Sequence, residues 1–306
     1  MTATIYYPIP KAGFLRISGS SRVDFLQRQT SNDLRKLGDK RASLTVLTSP
    51  VARILDVFWV FEDGESLGVI SLPERVRATE SYLRSRIFFK DDVQIADQSA
   101  ASSQILLDGP RAGEILDALG AQAPDLQGVA RFEFQNSPVS VIAQPGFGRV
   151  AYRMTITASD AMNLRLYLDK QGLSLLSAEA YERLRIEAGI PGHQTELIEA
   201  YTPLEVGLQD LAISIHKGCF TGQEVIARQI NYDKITRRLV GVQLDAPVEL
   251  SATIRVDGKS VGQITSITNS PRWGTIGLAV IKRPFDQPKT PVEIDGVVAL
   301  VAQLPF

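Results

Sequence analysis

The chain has 306 residues, which is enough for roughly two or three domains. Hydrophobic residues make up 44 % and charged residues 22 %, and 33 basic against 34 acidic side chains leave a net charge of −1. This charge balance gives no general attraction to nucleic acid or to an anionic membrane, so we expect neither as a direct partner. No apolar run approaches the roughly 20 residues of a membrane span, and residues 1–8 lack the pattern of a secretory signal.

Strands and helices alternate over the first hundred residues, which we predict to be an α+β domain that need not be continuous. Strands are predicted at residues 13–18, 44–47, 53–61, 67–72 and 88–96. Helices are predicted at residues 22–29, after the N-cap candidates Ser20 and Ser21, and at residues 73–85, with Pro73 at the start.

A second α+β domain is predicted over residues 101–235, with an element order that echoes the first. Strands are predicted at residues 103–107, 131–134, 139–143 and 151–157, and a strand-like segment at 211–215. Helices are predicted at residues 110–119, 160–170, 178–188 and 222–229.

The sequence pattern changes after Thr236, where short strand-like segments follow one another without helices. They lie at residues 239–244, 253–256, 263–266, 276–280 and 292–294, and Asp257-Gly258 is the clearest turn between them. Short strands at this spacing predict a small β-barrel, which we assign to a third domain, residues 236–306.

Cys219 is the only cysteine, so it cannot form a disulfide within the chain. It lies in a run with Gly218 and Gly222, which allow unusual backbone conformations, and with Lys217, whose ammonium group would favour a thiolate. The run therefore reads either as a turn that presents a reactive thiol or as an ordinary turn around a buried core cysteine. One cysteine and no secretory signal predict a reducing cytosol, and the residue types offer no metal site, so no intrinsic metal is expected.

This region resembles the motif of the YgfZ family, a branch of the superfamily of the glycine-cleavage T-protein, which is an aminomethyltransferase. The resemblance covers nearly the whole chain, and it implies a GcvT-like α+β fold of two intertwined ferredoxin-like units followed by a small C-terminal β-barrel. The segments that carry it are Leu15–Gly19, Asp24–Gln27, Thr30–Leu34, Leu184–Pro191, Lys217–Phe220, Gly222–Glu224, Ala227-Arg228, Asn231-Tyr232 and Arg237–Val242.

Glu187 is the first binding residue that the resemblance implies. It lies at the predicted C-terminus of a helix, where the helix dipole disfavours a carboxylate, and this placement indicates a partner or a ligand that donates hydrogen bonds. In the glycine-cleavage relatives the matching glutamate binds the pterin ring of folate, so the resemblance implies tetrahydrofolate or a derivative as the cofactor. The alternative is an ion pair with Arg183 or Arg185.

The cysteine motif supplies further candidates for the same site. Arg228 suits the carboxylates of the folate glutamate tail, and the alternative is a surface arginine. Lys217 is a candidate to hold the thiolate or an anionic substrate, and the alternative is a solvated loop lysine. Gln223, with Glu224, is predicted to hydrogen-bond the turn, and Tyr232 either stacks on a ring or packs in the core.

Asp56 marks a departure from the aminomethyltransferases. Those enzymes carry two adjacent aspartates at this place, whereas Val57 follows Asp56 here, and Ala52-Arg53 replaces a pair of glycines. An acid near the folate amine is needed to handle charge in methylene transfer, so its loss argues against aminomethyl transfer. Asp56 is retained as a candidate folate contact, and whether the chain is an enzyme, such as a one-carbon transferase, stays open.

Taken with the resemblance, these residues predict a monomeric, cytosolic, folate-binding protein. The family implies that it supports the assembly or repair of iron–sulfur clusters in client enzymes, including tRNA-modifying ones, with Cys219 as the acting thiol. Two alternatives remain: a folate-dependent aminomethyl or methyl transferase of the T-protein type, and a non-catalytic scaffold that binds folate as a structural ligand.

Overall fold

The computed structural model describes residues 3–306, and this part of the chain divides into two compact units. The first unit consists of residues up to Thr48, Leu55–Ser177 and Leu211–Thr221. The second consists of Ser49–Ile54, Ala178–Asp210 and Gly222–Phe306. The domain boundaries drawn from the sequence stay a prediction.

Eleven strands and four helices occur between Ile5 and Leu175. The strands are β1 Ile5–Pro8, β2 Gly13–Ser18, β3 Ala42–Thr48, β4 Ile54–Asp63, β5 Ser66–Ser71, β6 Gln94–Asp97, β7 Ser102–Asp108, β8 Val129–Phe134, β9 Ser137–Pro145, β10 Val150–Thr157 and β11 Ser174–Leu175. The helices are α1 Arg22–Gln29, α2 Val76–Arg84, α3 Ala112–Ala118 and α4 Ala161–Lys170, and short 3₁₀ turns lie at Leu34–Lys36 and Ser99–Ala101.

Two sheets form the first unit, with strand orders β3-β4-β5-β2-β6 and β11-β1-β7-β10-β9-β8. The first strand of the chain belongs to the second sheet, since Ile5 of β1 pairs with Asp108 of β7 and with Ser174 of β11. Each sheet buries one face under helices: Phe25 and Leu83 lie in the core of the first sheet, and Leu116 and Leu164 in the core of the second. This arrangement is an α+β architecture.

The remaining elements run from Ala178 to Ala302. They are the helices α5 Ala178–Glu187, α6 Gln209–Ala212 and α7 Gln223–Asn231, and the strands β12 Arg237–Leu244, β13 Thr253–Val256, β14 Lys259–Ser270, β15 Gly274–Lys282, β16 Pro291–Ile294 and β17 Val297–Ala302. The six strands close into a barrel in the order β12-β15-β14-β13-β16-β17. Its interior is filled by aliphatic side chains, and Ile186 of α5 packs outside on Ile276 and Leu278. The predicted fold class, with its C-terminal barrel, is confirmed.

Two predicted strands are wrong in part. Of the predicted strand 88–96 only residues 94–96 are in a strand, as part of β6 Gln94–Asp97. Before it, Asp91 accepts a hydrogen bond from the amide of Phe88 and turns the chain, and Phe88 and Phe89 are exposed. Residues 211–215 are not strand-like, because the helix α6 runs to Ala212 and a turn follows. Within residues 3–306 no helix has the length and the hydropathy that crossing a bilayer requires.

Candidate functional site

Cys219 is exposed on a loop of the first unit that is fixed by the residues around it. Lys217 and Phe220 on either side of it are buried, and Thr48 Oγ1 donates to the carbonyl of Thr221 at 2.5 Å. The interpretation of a buried core cysteine is therefore wrong. The residues on either side of Cys219 are anchored in the fold, while its sulfur is open to solvent.

Lys217 is buried, with 7 % of its surface exposed, and its ammonium group binds the end of α1. Nζ donates to the carbonyl oxygens of Gln27 at 2.7 Å and Asn32 at 2.8 Å, and also to that of Thr30. An ammonium has three N–H donors, so none is left for a thiolate or for an added anion. The alternative of a solvated lysine is wrong, and the predicted role beside the thiolate is not supported by this geometry.

The environment of Lys217 acts on its charge in two opposite ways. Burial lowers the pKa of Lys217 to about 7, and nearby Asp33 acts in the other direction. The last carbonyls of a helix have no partner within the helix and carry its negative dipole end, and both features favour a cation at this place. Lys217 is therefore a C-terminal cap for α1, supplied by a distant part of the chain.

The polar run after α1 holds the approach to the cysteine loop, a role that the sequence reasoning missed. Ser31 Oγ donates to the carbonyl of Ala212 at 2.6 Å, and Asn32 Nδ2 donates to that of Leu211 at 3.1 Å. The amide of Ser214 donates in return to the carbonyl of Ser31 at 3.0 Å. The only signal in the sequence was that Ser31 and Asn32 lie in one of the segments that carry the family resemblance.

Asp56 lies on β4 and has no exposed surface. One carboxylate oxygen accepts from the amides of Val57 at 2.8 Å and Leu72 at 3.2 Å, and the other from the hydroxyls of Ser71 at 2.6 Å and Thr79 at 2.5 Å. Burial raises the pKa of Asp56 to about 6, against the effect of these four donors. A ligand has no path to this carboxylate in the structure, so the position does not support the predicted folate contact.

Glu187 is the last residue of α5 and belongs to the second unit. The helix ends in a Schellman motif: Gly189, with φ +69°, donates to Ile186, and Ile190 donates to Arg185. The Glu187 side chain is half-buried, and its carboxylate has no hydrogen bond or ion pair with any residue of the range 3–306. The alternative of an ion pair with a neighbouring arginine is therefore wrong.

Arg185 instead belongs to a buried network that fixes the end of α5. Its guanidinium donates to Ser266 Oγ of the barrel at 2.8 Å and pairs with Glu182 at 2.7 Å and Glu196 at 3.4 Å. Glu196, which is fully buried, also accepts the amide of Gly192 at 2.6 Å. These bonds place Glu187 on a rigid helix end, which suits a binding residue.

The candidates on and after α7 are less enclosed. Gly222, with φ +84°, precedes the first residue of the helix, Gln223. Among the described residues Gln223 makes no side-chain hydrogen bond and the carboxylate of Glu224 bonds to Arg228, so their predicted hydrogen bonds to the turn are not made. Arg228 is exposed and pairs with Glu224 at 2.9 Å. Tyr232 is 70 % exposed, which excludes packing in the core. The ammonium nitrogen of Lys234 lies over its ring, 5.6 Å from the ring centre. Their roles in folate binding stay predictions.

The predicted site residues are divided between the two units. Lys217, Cys219 and Asp56 belong to the first, and only the first two share a loop. The second unit contains the four others, Glu187, Gln223, Arg228 and Tyr232. Across residues 3–306 there is no group of three or more His, Cys, Asp or Glu side chains placed to hold a metal ion.

The fold of the chain, with two sheets covered by helices and a closed barrel, is that of an aminomethyltransferase of known structure. The crystal structure of the glycine cleavage system aminomethyltransferase T from Bartonella henselae matches 99 % of this chain and 86 % of its own length, with a TM-score of 0.87 and 19 % identity. The GCVT N-terminal domain matches residues 9–217, and the glycine cleavage T-protein C-terminal barrel domain matches residues 237–306. The chain belongs to the glycine cleavage T-protein family.

Relatives within this family carry two kinds of name. A chloroplastic protein of Arabidopsis thaliana that is named as a transferase is 32 % identical, over 96 % of this chain and 69 % of its own length. The aminomethyltransferase of Bacillus subtilis is 27 % identical over 100 % of this chain and 88 % of its own length, and that of Oceanobacillus iheyensis is 26 % identical over 94 % and 81 %.

Proposed function

We propose that this chain is a tetrahydrofolate-binding protein of the YgfZ branch that supports the assembly or repair of iron–sulfur clusters in client enzymes. The clients include radical-type tRNA-modifying enzymes, and the protein acts as a monomer in the cytosol. Membership of the glycine cleavage T-protein family and the resemblance of residues 217–232 to the YgfZ motif support this proposal.

The observation that carries the folate part is the unpaired carboxylate of Glu187. Its oxygens are open to solvent, so the hydrogen bonds that they accept come from water or from a ligand. No residue of the described chain supplies them. A pterin ring offers adjacent N–H donors that one carboxylate accepts in bidentate fashion, and the Arg185 network holds the carboxylate in place for it.

The exposed sulfur of Cys219 carries the client part. A thiol on a fixed loop can lose its proton to water and bind an iron atom of a client's cluster as a transient ligand. Because the chain has one cysteine, it contributes one ligand, and the client supplies the others. The iron is cargo in this scheme and does not reside on the protein.

Glu187→Gln tests the folate part. It keeps the size of the side chain and removes the charge, so we expect the Kd for tetrahydrofolate to rise by about tenfold or more, as for the loss of a charge-assisted hydrogen bond. Isothermal titration calorimetry measures the change. Glu179→Gln, an exposed glutamate on the same helix, is the matched control and should bind like the wild type. Equal affinities of the wild type and Glu187→Gln would refute the pterin contact.

Cys219→Ala and Cys219→Ser test the client part in cells that lack the native copy. Serine keeps the size and the polarity but is a poor iron ligand, so both variants should fail to restore the product of a radical-type tRNA-modifying enzyme. Their thermal unfolding should match the wild type, because the side chain is exposed. Full restoration by either variant favours the non-catalytic scaffold, in which folate binding alone is sufficient.

The second candidate function is folate-dependent aminomethyl transfer, which the names of the bacterial relatives favour. The first unit argues against it, since Asp56 is enclosed by its four donors and Val57 is apolar and buried. Neither member of this pair presents a carboxylate to a ligand. Tetrahydrofolate with an aminomethyl donor should therefore give no methylene-tetrahydrofolate, and turnover in this assay would establish the transferase instead.

A further inference from the structure

A basic cavity lies in the second unit, apart from the residues assigned above. Its volume is about 580 Å³, and none of Glu187, Gln223, Arg228 or Tyr232 lines it. Its lining includes Arg53, Thr202, Glu205, Gln229, Arg237, Lys282 and Arg283, all of the second unit. We call it the arginine cavity. Its size is in the range of ordinary small-molecule sites.

Positive charge dominates the arginine cavity. Four cations line it, and Glu205 is the one acid in the lining. Asp233, which lies outside the lining, pairs with Arg283 at 2.9 Å. Arg237 holds Glu205 with two bonds, at 2.7 and 3.0 Å, so these two charges satisfy each other. A surplus of two positive charges remains, which predicts an anionic occupant.

Two of the arginines keep most of their donors free. Arg53 donates to the carbonyl of Ala200 at 2.9 Å through Nη1, and its contact with Glu205 at 3.6 Å uses the same nitrogen. Arg283 binds Asp233 through Nη1 alone. Within residues 3–306, Nε and Nη2 of both guanidinium groups have no acceptor, and these are the atoms that form bidentate pairs with oxyanions.

Arg53 is placed by its turn. The hydroxyl and the amide of Ser49 both bond to the backbone of Arg53, and Ala52 between them is fully buried with φ +60°. The backbone that carries the guanidinium of Arg53 is thus fixed by this turn.

Two buried polar atoms in the lining have no partner. Thr202 is 4 % exposed, and its Oγ1 makes no hydrogen bond with the described residues, nor does Oε1 of Gln229. Both atoms have almost no accessible surface, so they lie behind the wall of the cavity, and the cations supply its exposed polar contacts.

We propose that the arginine cavity binds a small oxyanionic molecule that carries at least two negative charges, through Arg53 and Arg283. Phosphoryl and carboxylate oxygens share the required chemistry, since both accept from guanidinium forks. The site is separate from the proposed folate contact at Glu187, and it holds whether or not folate binds there.

Calorimetry of the full chain with two probes, pyrophosphate and propane-1,2,3-tricarboxylate, tests this proposal at low salt. We expect one or both to bind with a submillimolar Kd that weakens as sodium chloride is added. Arg53→Gln and Arg283→Gln should each weaken binding by about tenfold, as for the loss of a charged hydrogen bond. Binding of pyrophosphate alone identifies a phosphoryl ligand, and binding of the tricarboxylate alone identifies a polycarboxylate.

Arg255→Gln is the matched control, an exposed arginine on the barrel that does not line the cavity. It should bind both probes like the wild type, as should Glu187→Gln. Three results would overturn the proposal: no binding of either probe, equal weakening by Arg255→Gln, or equal weakening by Glu187→Gln. Thermal unfolding of each variant shows that it is folded, and if one arginine variant is not, the other arginine variant decides.

Discussion

Replacing Lys217 with methionine is expected to destabilise the first unit by about 3 kcal/mol or more, because it removes the donor that three carbonyl oxygens share. Methionine fills much the same space, so packing changes little. The loss comes from the carbonyls of Gln27, Thr30 and Asn32, which are left without their shared donor. Each buried acceptor without a partner costs about 1–3 kcal/mol.

Urea unfolding at pH 6 measures this effect. At that pH the ammonium is protonated in the folded state, since it lies below the pKa of about 7, and all three donors are present. The chain has two tryptophans, so a Trp273→Phe background leaves Trp59, buried in β4 of the first unit, as the only tryptophan. The signal then reports on the unit that contains Lys217.

Lys36→Met is the matched control, because it makes the same chemical change at a lysine whose side chain is 76 % exposed. It should change the free energy of unfolding by less than about 0.5 kcal/mol. If Lys217→Met were as stable as this control, the three hydrogen bonds would only balance the cost of burying the ammonium, and the cap on α1 would contribute nothing.

Asp56 is expected to give the second large effect, with opposite results for two substitutions. Asp56→Ala leaves the amides of Val57 and Leu72 and the hydroxyls of Ser71 and Thr79 without an acceptor, and should cost about 3 kcal/mol or more. Asp56→Asn keeps an oxygen for the two amides, while its NH₂ group donates to the hydroxyls, which rotate to accept. It should therefore be tolerated.

The pH dependence of Asp56→Asn follows from the raised pKa. The folded pKa of about 6 exceeds the ordinary value of 3.8, so between these values the folded state holds the proton more tightly than the unfolded state. The stability from Asp56 is present below about pH 4 and is lost as the pH rises through 6. From pH 4 to 7 the wild type should thus fall relative to Asp56→Asn by on the order of 3 kcal/mol.

Urea unfolding of both chains at several pH values between 4 and 7, again followed through Trp59, measures this difference. If Asp56→Asn binds tetrahydrofolate as tightly as the wild type does, the result agrees with the enclosed position of the carboxylate. A constant difference across the pH range would show that the pKa is not raised, and a large loss of folate affinity would restore Asp56 as a ligand contact.

Most of the fold could be predicted from local patterns in the sequence. The helix predicted at 178–188 is α5, and the short strands after Thr236 form the barrel, because period and turn residues are properties of neighbouring positions. The segment 88–96 was misassigned because Phe88-Phe89 looks like a buried strand, whereas Asp91 turns the chain there. A hydrogen bond from a side chain to a backbone amide is not visible in hydrophobic periodicity.

The candidate site was predicted less completely, for a physical reason. Glu187 was found because its place at a helix end is a local feature. The partners of Lys217 lie 185–190 residues away along the chain, so its neighbour Cys219 was the only partner that the sequence offered. The enclosure of Asp56 depends in the same way on Ser71 and Thr79, which lie 15 and 23 residues away, and the arginine cavity on segments from Val51 to Arg283.

The long reach of Lys217 has a consequence for biosynthesis. The end of α1 leaves the ribosome before its cap, Lys217, has been made. In the same way β1 emerges before β11, with which it pairs at Ser174. Both segments therefore emerge incomplete, one with uncapped helix carbonyls and the other with an unpaired strand edge, which is prone to aggregation. The first unit is completed only after Leu211–Thr221 has been made.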